Sequence, residues 1–341
     1  LGTRGDQEAL GILASLPAST PDAVRSAAAD EIAAIESRLK LIAAAQNVVY
    51  GISLGSVLLL AAIGLAITFG VMGVINMAHG EMVMLGAYTT FVIQEFCRTS
   101  FPAGLEWSLP VAIPLAFLVA GAMGVLIERS VIRLLYGRPL ETLLATWGVS
   151  LILQQLVRSI FGPNNRQVST PSWMSGSFDL GFGFTITESR LIIVIFCLVV
   201  FAALLAVIRL TRFGLEMRAV TQNRRMAAAM GIRTSWVDAM TFGLGSGVAG
   251  IAGVALSQID NVSPNLGQSY IIDSFMVVVF GGVGNLWGTF TGAFTLGIVN
   301  KLLEPTVGAV LAKILVLVAI ILFIQKRPRG LFALKGRAVE S

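Results

Sequence analysis

Three polar side chains lie within one of the most apolar stretches of the sequence, GVINMAHGEMVMLG from Gly73 to Gly86. An imidazole and a carboxylate this close in sequence could act together as an acid and a base. His79 is, however, the only histidine in the chain, and the sequence contains no P-loop, HExxH or paired-cysteine motif. Asn76, His79 and Glu81 therefore do not predict an enzyme, and the chain has no P-loop with which to bind ATP.

A second glycine-rich tract, FGGVGNLWGTFTGAFTLG, repeats a Gly-x-x-Asn pattern of the first. In both tracts a glycine precedes an asparagine by three positions, Gly73 before Asn76 and Gly282 before Asn285. Such interruptions in two apolar segments are typical of broken helices around a central membrane site. The Asn76 amide could satisfy backbone groups freed at a break, and Glu81 would meet the positive end of the next helix dipole. Two roles fit these side chains, lining a passage or holding helices together, and the glycines fit close helix packing.

The composition is that of a membrane protein. Of the 341 residues, 55% are hydrophobic and 13% are charged, and the mean hydropathy is +0.82, whereas about 25% of residues are charged in soluble domains. A spanning helix needs about 20 apolar residues, and the run 274–300 is too rich in glycine for one straight helix. We predict an all-α polytopic membrane protein with eight or nine transmembrane helices, some broken or re-entrant, after a short soluble helical segment. The predicted spans are Val48–Met72, Glu81–Cys97, Leu109–Ile127, Leu140–Phe161, Leu191–Ile208, Ala239–Ile259, Ile272–Gly284, Leu286–Asn300 and Pro305–Ile324.

Basic residues distinguish the two ends of the predicted helices. Lys and Arg concentrate in the loops of one side, which the positive-inside rule assigns to the cytoplasm. The C-terminus is then cytoplasmic and the N-terminus is outside, and the net charge of +5 needs no nucleic-acid partner. We predict an extracytoplasmic helical extension at 1–45, the end of a longer region, a membrane domain at 46–325 and a cytoplasmic tail at 326–341. The basic positions are Arg129, Arg133, Arg138, Arg209, Arg212, Arg218, Arg224, Arg225, Arg233, Lys326, Arg327, Arg329, Lys335 and Arg337.

Two loops and three side chains carry further signals. The outward loop GPNNRQVSTPSWMSGSFDLGFGFTITES predicts a small hairpin. The inward segment 209–233 mixes apolar and basic positions, which favours one or two amphipathic helices for partner docking over an ordinary basic loop. Lys313 lies within the last predicted span, where it either has a functional partner or extends toward the outer surface. Cys97 and Cys197 have no metal-binding or disulfide spacing, so we expect two small apolar side chains and no metal site.

Long segments resemble the permease subunits of branched-chain amino acid type ABC importers, the LivH-like family. These segments are GLAITFGVMGVINMAHGEMVMLGAY, GLEMRAVTQNRRMAAAMGI, VVVFGGVGNLWGTFTGAFTLGIV and KRPRGLFALKGR. Within that family, NMAHGEM, FGPNNRQVSTPSWMSGSF, TFGLGSGVAGIAGVALSQIDNVSPNLGQSYIIDSFM and FIQKRPRGLFALKGRAVE look like the urea ABC transporter permeases of the UrtB type. The resemblance runs from about Gln46 to the end of the chain.

The resemblance implies a permease subunit that moves urea or short amides across the bacterial inner membrane, driven by ATP hydrolysis in separate subunits. A permease for branched-chain amino acids and an ATP-independent urea channel are the alternatives. The implied partners are a second homologous permease subunit, two cytoplasmic ATPase subunits, a periplasmic substrate-binding protein and the lipid bilayer. No cofactor is implied for this chain, because the partner subunits would bind ATP.

The resemblance also suggests roles for particular side chains. The hypothesised passage or helix-break residues are Asn76, His79, Glu81, Gln154 and Asn285. The positions that match the family's coupling segment, where an ATPase would dock, are Gly214, Glu216, Arg218, Ala219, Asn223, Gly231 and Ile232. The Glu-Ala-Ala motif of many other ABC importers is not present in this segment. We expect the binding protein to dock on outward loops at Trp173, Asp260, Asn261 and Asn265.

Overall fold

The computed structural model describes residues 7–16, 21–179 and 184–332. These residues are mostly helical, which confirms the predicted all-α polytopic fold. The helices are α1 (Gln7–Ala14), α2 (Asp22–Met72), α3 (His79–Ser100), α4 (Ser108–Ser130), α5 (Pro139–Phe161), α6 (Glu188–Leu210), α7 (Arg212–Gln222), α8 (Arg224–Ala229), α9 (Thr234–Leu256), α10 (Leu266–Gly281), α11 (Leu286–Val307) and α12 (Ala309–Lys326). Short 3-10 turns occur at Pro102–Trp107, Ile132–Leu135 and Ser172–Met174.

The first predicted span is the second half of a much longer helix. Helix α2 has 51 residues, so it is about 75 Å long at 1.5 Å per residue, more than twice the thickness of a hydrocarbon core. It passes through the predicted boundary at 45/46 without a break, because no glycine or proline lies between Asp22 and Tyr50. The change in composition at this boundary therefore marks where the helix becomes apolar.

Six helices of the described residues, α2, α4, α5, α6, α9 and α12, are long and apolar enough to cross a membrane. The other three predicted spans are also helical. Helices α3 and α11 are 22 residues long but are not among these six, and α10 is a shorter apolar helix of 16 residues. Residues 282–285 separate α10 from α11, which confirms the predicted division of the run 274–300 into two segments.

Small residues place α9 at the centre of the bundle. Gly250 of α9 lies against α4, where an added Cβ would be 2.6 Å from the carbonyl oxygen of Ala116. On the α3 side, an added Cβ on Gly86 would be 2.7 Å from the Cα of Gly250. Such approaches are possible only without side chains, and they maximise the van der Waals contact that holds membrane helices together. This packing role for the glycines agrees with the sequence interpretation.

The loops of the bundle lie at two opposite ends. We call the end where α2, α4, α6, α10 and α12 finish the basic end, since Arg129, Arg209 and Lys326 lie there. At the opposite end, the backbones of Arg166 and Val262 pair across two loops. Every predicted inward loop thus falls at the basic end, and every predicted outward loop falls at the opposite end.

The predicted secondary structure of both loops is confirmed within the described residues. Strand β1 (Ser177–Asp179) pairs antiparallel with β2 (Thr185–Thr187), which is the predicted hairpin. The segment 209–233 forms two short helices, α7 and α8, rather than an irregular loop. The predicted C-terminal tail is described only as far as Phe332, and its remaining residues lie outside the described part.

Lys313 has an ionic partner on a neighbouring helix. Its Nζ lies 3.1 Å from Oδ2 of Asp273, which belongs to α10. The Asp273 side chain is 8% exposed and the Lys313 side chain is 53% exposed, so the carboxylate is the buried member of the pair. The lysine therefore extends from α12 to a specific counter-ion, which favours pairing over simple extension to the surface.

Replacing Lys313 with alanine is expected to destabilise the protein by about 1–3 kcal/mol, a value between those of exposed and fully buried ion pairs. The cause is the buried Asp273 carboxylate that loses its counter-ion. Thermal unfolding of the detergent-solubilised protein measures the effect. The double variant Lys313→Ala/Asp273→Asn removes both charges and should recover part of the loss; no recovery would contradict this explanation.

Candidate functional site

The chain breaks its helical course between α2 and α3. Helix α2 ends at Gly73, which adopts a left-handed conformation with φ of 68° and donates its N–H to the Phe69 carbonyl. Asn76 is buried, and its Oδ1 accepts the backbone N–H of Ala78 at 3.0 Å, just before α3 begins. The Asn76 amide thus satisfies a backbone donor that has no helical partner, as predicted for a helix break.

His79 shows that α3 begins deep within the bundle. Its Nε2 lies 2.9 Å from the carbonyl oxygen of Ala61. Ala61 lies eleven residues before Met72, the last residue of α2, which is about 16 Å along the helix axis. The six residues 73–78 can cover this distance, because extended chain spans about 20 Å over that length. A carbonyl only accepts hydrogen bonds, so Nε2 carries the proton of the imidazole and Nδ1 is an acceptor.

Glu81, in the first turn of α3, faces the middle of α5. Its Oε1 accepts hydrogen bonds from Ser150 Oγ and Gln154 Nε2, both at 2.8 Å, and the residue is 1% exposed. Ser150 is the central residue of α5, with eleven residues on each side. Since α5 is one of the helices able to cross a membrane, the Glu81 carboxylate lies beside the middle of a candidate membrane span.

Polar residues recur at every fourth position of α5, which places them on one face of the helix. The Thr146 hydroxyl oxygen accepts the backbone N–H of Met77 at 3.1 Å, so this face lies against the break as well as against Glu81. Of this face, the sequence interpretation had selected only Gln154. The spacing of four residues was the signal that could have identified the others. The polar face consists of Thr142, Thr146, Ser150, Gln154 and Arg158.

This group retains buried polar atoms with no protein partner. Within the described residues, Asn76 Nδ2, His79 Nδ1 and Glu81 Oε2 form no hydrogen bonds. Unpartnered polar atoms in a membrane interior are costly, which makes intramembrane ionisable groups candidates for function. The break therefore holds one donor group and two acceptors that have no partner among the described residues and are buried between the helices. We call Asn76, His79, Glu81, Ser150 and Gln154 the mid-depth polar group.

The structure does not bring Asn285 into the mid-depth polar group. Its Oδ1 accepts the N–H groups of Trp287 at 3.1 Å and Gly288 at 3.2 Å, which caps the start of α11. Its Nδ2 donates to the Phe332 carbonyl at 3.4 Å, so it also contacts the C-terminal segment at the basic end. In both tracts the asparagine side chain accepts backbone N–H groups beside a helix start, but Asn285 is the N-cap of α11, whereas Ala78 holds that position before α3.

Replacing Asn285 with alanine is expected to destabilise the protein by about 1 kcal/mol, the usual cost of losing an N-cap side chain. Thermal unfolding of the purified protein measures this change. Asn285→Asp is the matched variant, because its carboxylate still accepts from the first turn of α11. An equal loss in both variants would contradict the capping role.

The residues matched to the coupling segment lie on and around α7 and α8. Gly214 is buried against the end of α6, where an added Cβ would be 2.5 Å from the Ile208 carbonyl carbon. Asn223 Oδ1 accepts the Met226 N–H at 3.0 Å and caps α8. Gly231 has φ of 88°, which allows the turn into α9. Glu216, Ala219 and Ile232 are half-buried.

A cavity of about 480 Å³ connects this segment with the second glycine tract. It lies between α2, α6, α7 and the start of α11, and both Arg218 and Asn285 contribute to its lining. Arg218 is exposed on α7. The cavity thus brings one coupling position and one predicted passage position together at the basic end, away from Glu81.

The four predicted docking residues lie at the opposite end. Trp173 is 45% exposed, and its Nε1 donates to the Glu106 carbonyl at 3.2 Å. Asn265 Oδ1 accepts from Arg158 Nη2, which joins the end of α5 to the start of α10. Asp260 and Asn261 are exposed, and they line a cavity of about 220 Å³ between two loops.

Known proteins resemble this chain over most of its length. The family described as branched-chain amino acid transport system / permease component matches residues 47–324. The high-affinity branched-chain amino acid transport system permease protein LivH of Escherichia coli (strain K12) is 32% identical over 294 residues, which cover 84% of this chain and 94% of LivH. The corresponding protein BraD of Pseudomonas aeruginosa is 28% identical over 292 residues and 94% of its length. No solved structure matches.

These matches cover the helical bundle from α2 to α12 and both helix breaks. The relatives are transport permeases, which agrees with the expectation that the chain is a transport subunit rather than an enzyme. The comparisons thus confirm the wider family and leave its urea branch unconfirmed. The chain belongs to the family of permease components of branched-chain amino acid transport systems.

Proposed function

We propose that this chain is the membrane-spanning permease subunit of an ATP-driven importer, and that its solute passes between α3 and α5 beside Glu81. The main observation that supports this function is the mid-depth polar group, with three buried polar atoms that have no partner among the described residues. A solute that leaves water must exchange its hydrogen bonds for others in the protein. The binding must remain weak enough for release on the other side.

The break after α2 gives this site a means to change. Residues 73–78 have no regular hydrogen bonding of their own, so they can adjust while the packed helices move as rigid units. The same residues carry Asn76 and lead directly into His79 and Glu81. A displacement at the basic end of α2 would therefore reach the mid-depth polar group through a short, irregular segment.

The surface of α7 and α8 supports an ATPase partner at the basic end. Leu215, Met226 and Met230 are 62%, 61% and 78% exposed, beside exposed arginines. Large exposed apolar side chains rimmed by charges mark protein interfaces. We propose that two ATPase subunits act on this permease and a second, homologous one, and that ATP is bound only by the ATPases. A binding protein would deliver the solute at the opposite end, at Trp173, Asp260, Asn261 and Asn265.

Branched-chain amino acids are the first substrate class that we propose. The names of LivH and BraD support it, and the free Glu81 oxygen could accept from an ammonium group. Urea is the second candidate. Four segments, of which NMAHGEM is the first, resemble urea permeases over long stretches. Urea carries four N–H donors and one carbonyl acceptor, which also suit the donor and acceptors of the mid-depth polar group.

Reconstitution of the complete complex into liposomes distinguishes these functions. Uptake of labelled leucine and of labelled urea is measured with ATP, without ATP, and with an ATPase subunit that lacks its catalytic residue. We expect ATP-dependent uptake of leucine. ATP-dependent uptake of urea without leucine would assign the second candidate. Downhill urea uptake that continues without ATP would indicate a channel and contradict the importer.

A further inference from the structure

A cluster of polar side chains at the basic end connects three parts of the chain through Arg224. This residue is the first of α8. Its Nη1 donates to Asp238 Oδ1 at 3.1 Å, and its Nη2 donates to Asp238 Oδ2. Asp238 belongs to α9 and its side chain is 4% exposed. The paired contact holds the guanidinium in a fixed orientation, because both of its hydrogen bonds end on one carboxylate.

Arg224 also contacts the end of α2 through Tyr136. Its Nη1 donates to the Tyr136 hydroxyl at 2.6 Å, and its guanidinium carbon lies 4.3 Å from the centre of the tyrosine ring. The hydroxyl in turn donates to the carbonyl oxygen of Met72 at 3.3 Å. Met72 is the last residue of α2, so this carbonyl has no partner within the helix.

The Tyr136 hydroxyl keeps the proton that this connection requires. Burial, and then the neighbouring Asp238 carboxylate, raise the pKa of Tyr136 to about 12. The hydroxyl therefore remains a donor to Met72 throughout the physiological pH range. Since it also accepts from Arg224, one side chain joins α8 to the residue immediately before the break.

Among the described residues, the other arginines of the coupling segment form no such connections. Of the arginines in residues 209–233, only Arg224 forms an ion pair with another described residue. Its neighbour Arg225 is exposed. Movement of α8 can therefore reach α9 and the end of α2 through the contacts of a single guanidinium.

We propose that Arg224 is a positioning residue that carries movement of α7 and α8 to α9 and, through Tyr136, to the helix break after Met72. This inference rests on the proposed function, in which an ATPase acts on α7 and α8. Beyond Met72, residues 73–78 lead into the mid-depth polar group. The connection thus gives ATP hydrolysis at the basic end a direct route to the residues that would meet the solute.

Removal of the whole arginine side chain would be a poor test. Glu128 of α4 is 2% exposed, its Oε2 has no partner among the described residues, and the charges of Asp238 and Arg224 both act on it. Arg129 and Arg133 also act on Glu128. Without Arg224, the buried Asp238 and Glu128 would lose a shared positive charge, and this end could fail to fold.

Two conservative variants avoid this difficulty. Tyr136→Phe removes only the hydroxyl, so it breaks the connection to Met72 and leaves the Asp238 pair. Arg224→Lys keeps the positive charge and loses the planar, paired contact. Arg138→Lys makes the same chemical change in an exposed ion pair with Glu141, at the same end of the bundle but outside α7 and α8, and serves as the control.

The test measures ATP hydrolysis and solute uptake in the same liposomes that contain the complete complex and its binding protein. We expect Tyr136→Phe and Arg224→Lys to keep hydrolysis within about twofold of wild type while uptake per ATP hydrolysed falls at least about fivefold. Arg138→Lys should change neither. An unchanged ratio in both variants, or a parallel loss of hydrolysis and uptake, would overturn the assignment. If the wild-type complex itself shows no ATP-dependent uptake, the proposed function fails together with this inference.

Discussion

Glu81→Gln is expected to lower solute uptake at least about tenfold in an assembled complex, which corresponds to about 1.4 kcal/mol or more of lost interaction in the transport step. Glutamine has nearly the same size and keeps one oxygen that can accept from Ser150 and Gln154. The second position, Oε2 in the wild type, becomes an NH₂ group that only donates. A donor group of the solute would then face a donor instead of an acceptor.

Glu95→Gln provides the matched control for this change. Glu95 lies on the same helix, but its side chain is 48% exposed and pairs with Arg98 near the opposite end. Uptake by this variant should remain within about twofold of wild type, because exposed ion pairs contribute about 0–1 kcal/mol. Equal uptake by the wild type, Glu81→Gln and Glu95→Gln would show that Glu81 only holds α3 against α5.

Gly86→Ala should have the largest effect on folding, a loss of about 3 kcal/mol or more through overpacking. An added Cβ would overlap the carbonyl group of Gly250 and would be 2.7 Å from the Gly250 Cα. Neither group can move aside without displacing the backbone of α9, which packs against α2, α3 and α4. The expected result is a low yield of monodisperse protein on size-exclusion chromatography in detergent, together with rapid proteolysis.

Gly148→Ala is the control for this prediction. Gly148 also lies within a spanning helix, α5, but no heavy atom lies within 4 Å of an added Cβ. The yield and the thermal unfolding temperature should equal or slightly exceed those of the wild type, because alanine favours a helix by about 1 kcal/mol over glycine. If Gly86→Ala behaved like Gly148→Ala, the close approach of α3 to α9 would be contradicted.

The break between α2 and α3 could be predicted from sequence because its signals are local. Gly73 supplies a left-handed conformation, and Asn76 caps a nearby donor within two residues. The same local step predicts the start of α11 at Asn285. The depth of the break was not predictable, because it depends on six irregular residues that bring His79 beside Ala61.

The ionic contacts could not be predicted for a related reason. Asp273 and Lys313 are 40 positions apart and meet only because α10 packs beside α12. Arg224 and Tyr136 are 88 positions apart and meet through the packing of α8 against the loop after α4. Periodicity places a residue on one face of its helix, but it does not state which helix covers that face. The predicted boundary at 45/46 fails for a different reason. Hydropathy changes at this point of the sequence, but helix propensity does not, so α2 continues through it.

Thiol accessibility of a Ser150→Cys variant tests most directly whether solute passes between α3 and α5. Cys97 and Cys197 are first replaced by alanine, and the complete complex is treated with a charged, membrane-impermeant maleimide from either side. We expect Ser150→Cys to react from one side without nucleotide and from the other side when the ATPases are trapped with ATP. Ile152→Cys, at a position that is 67% exposed on another face of α5, should not react, because lipid or a partner subunit covers it. A Ser150→Cys variant that remains unreactive in both states would contradict a passage at the mid-depth polar group.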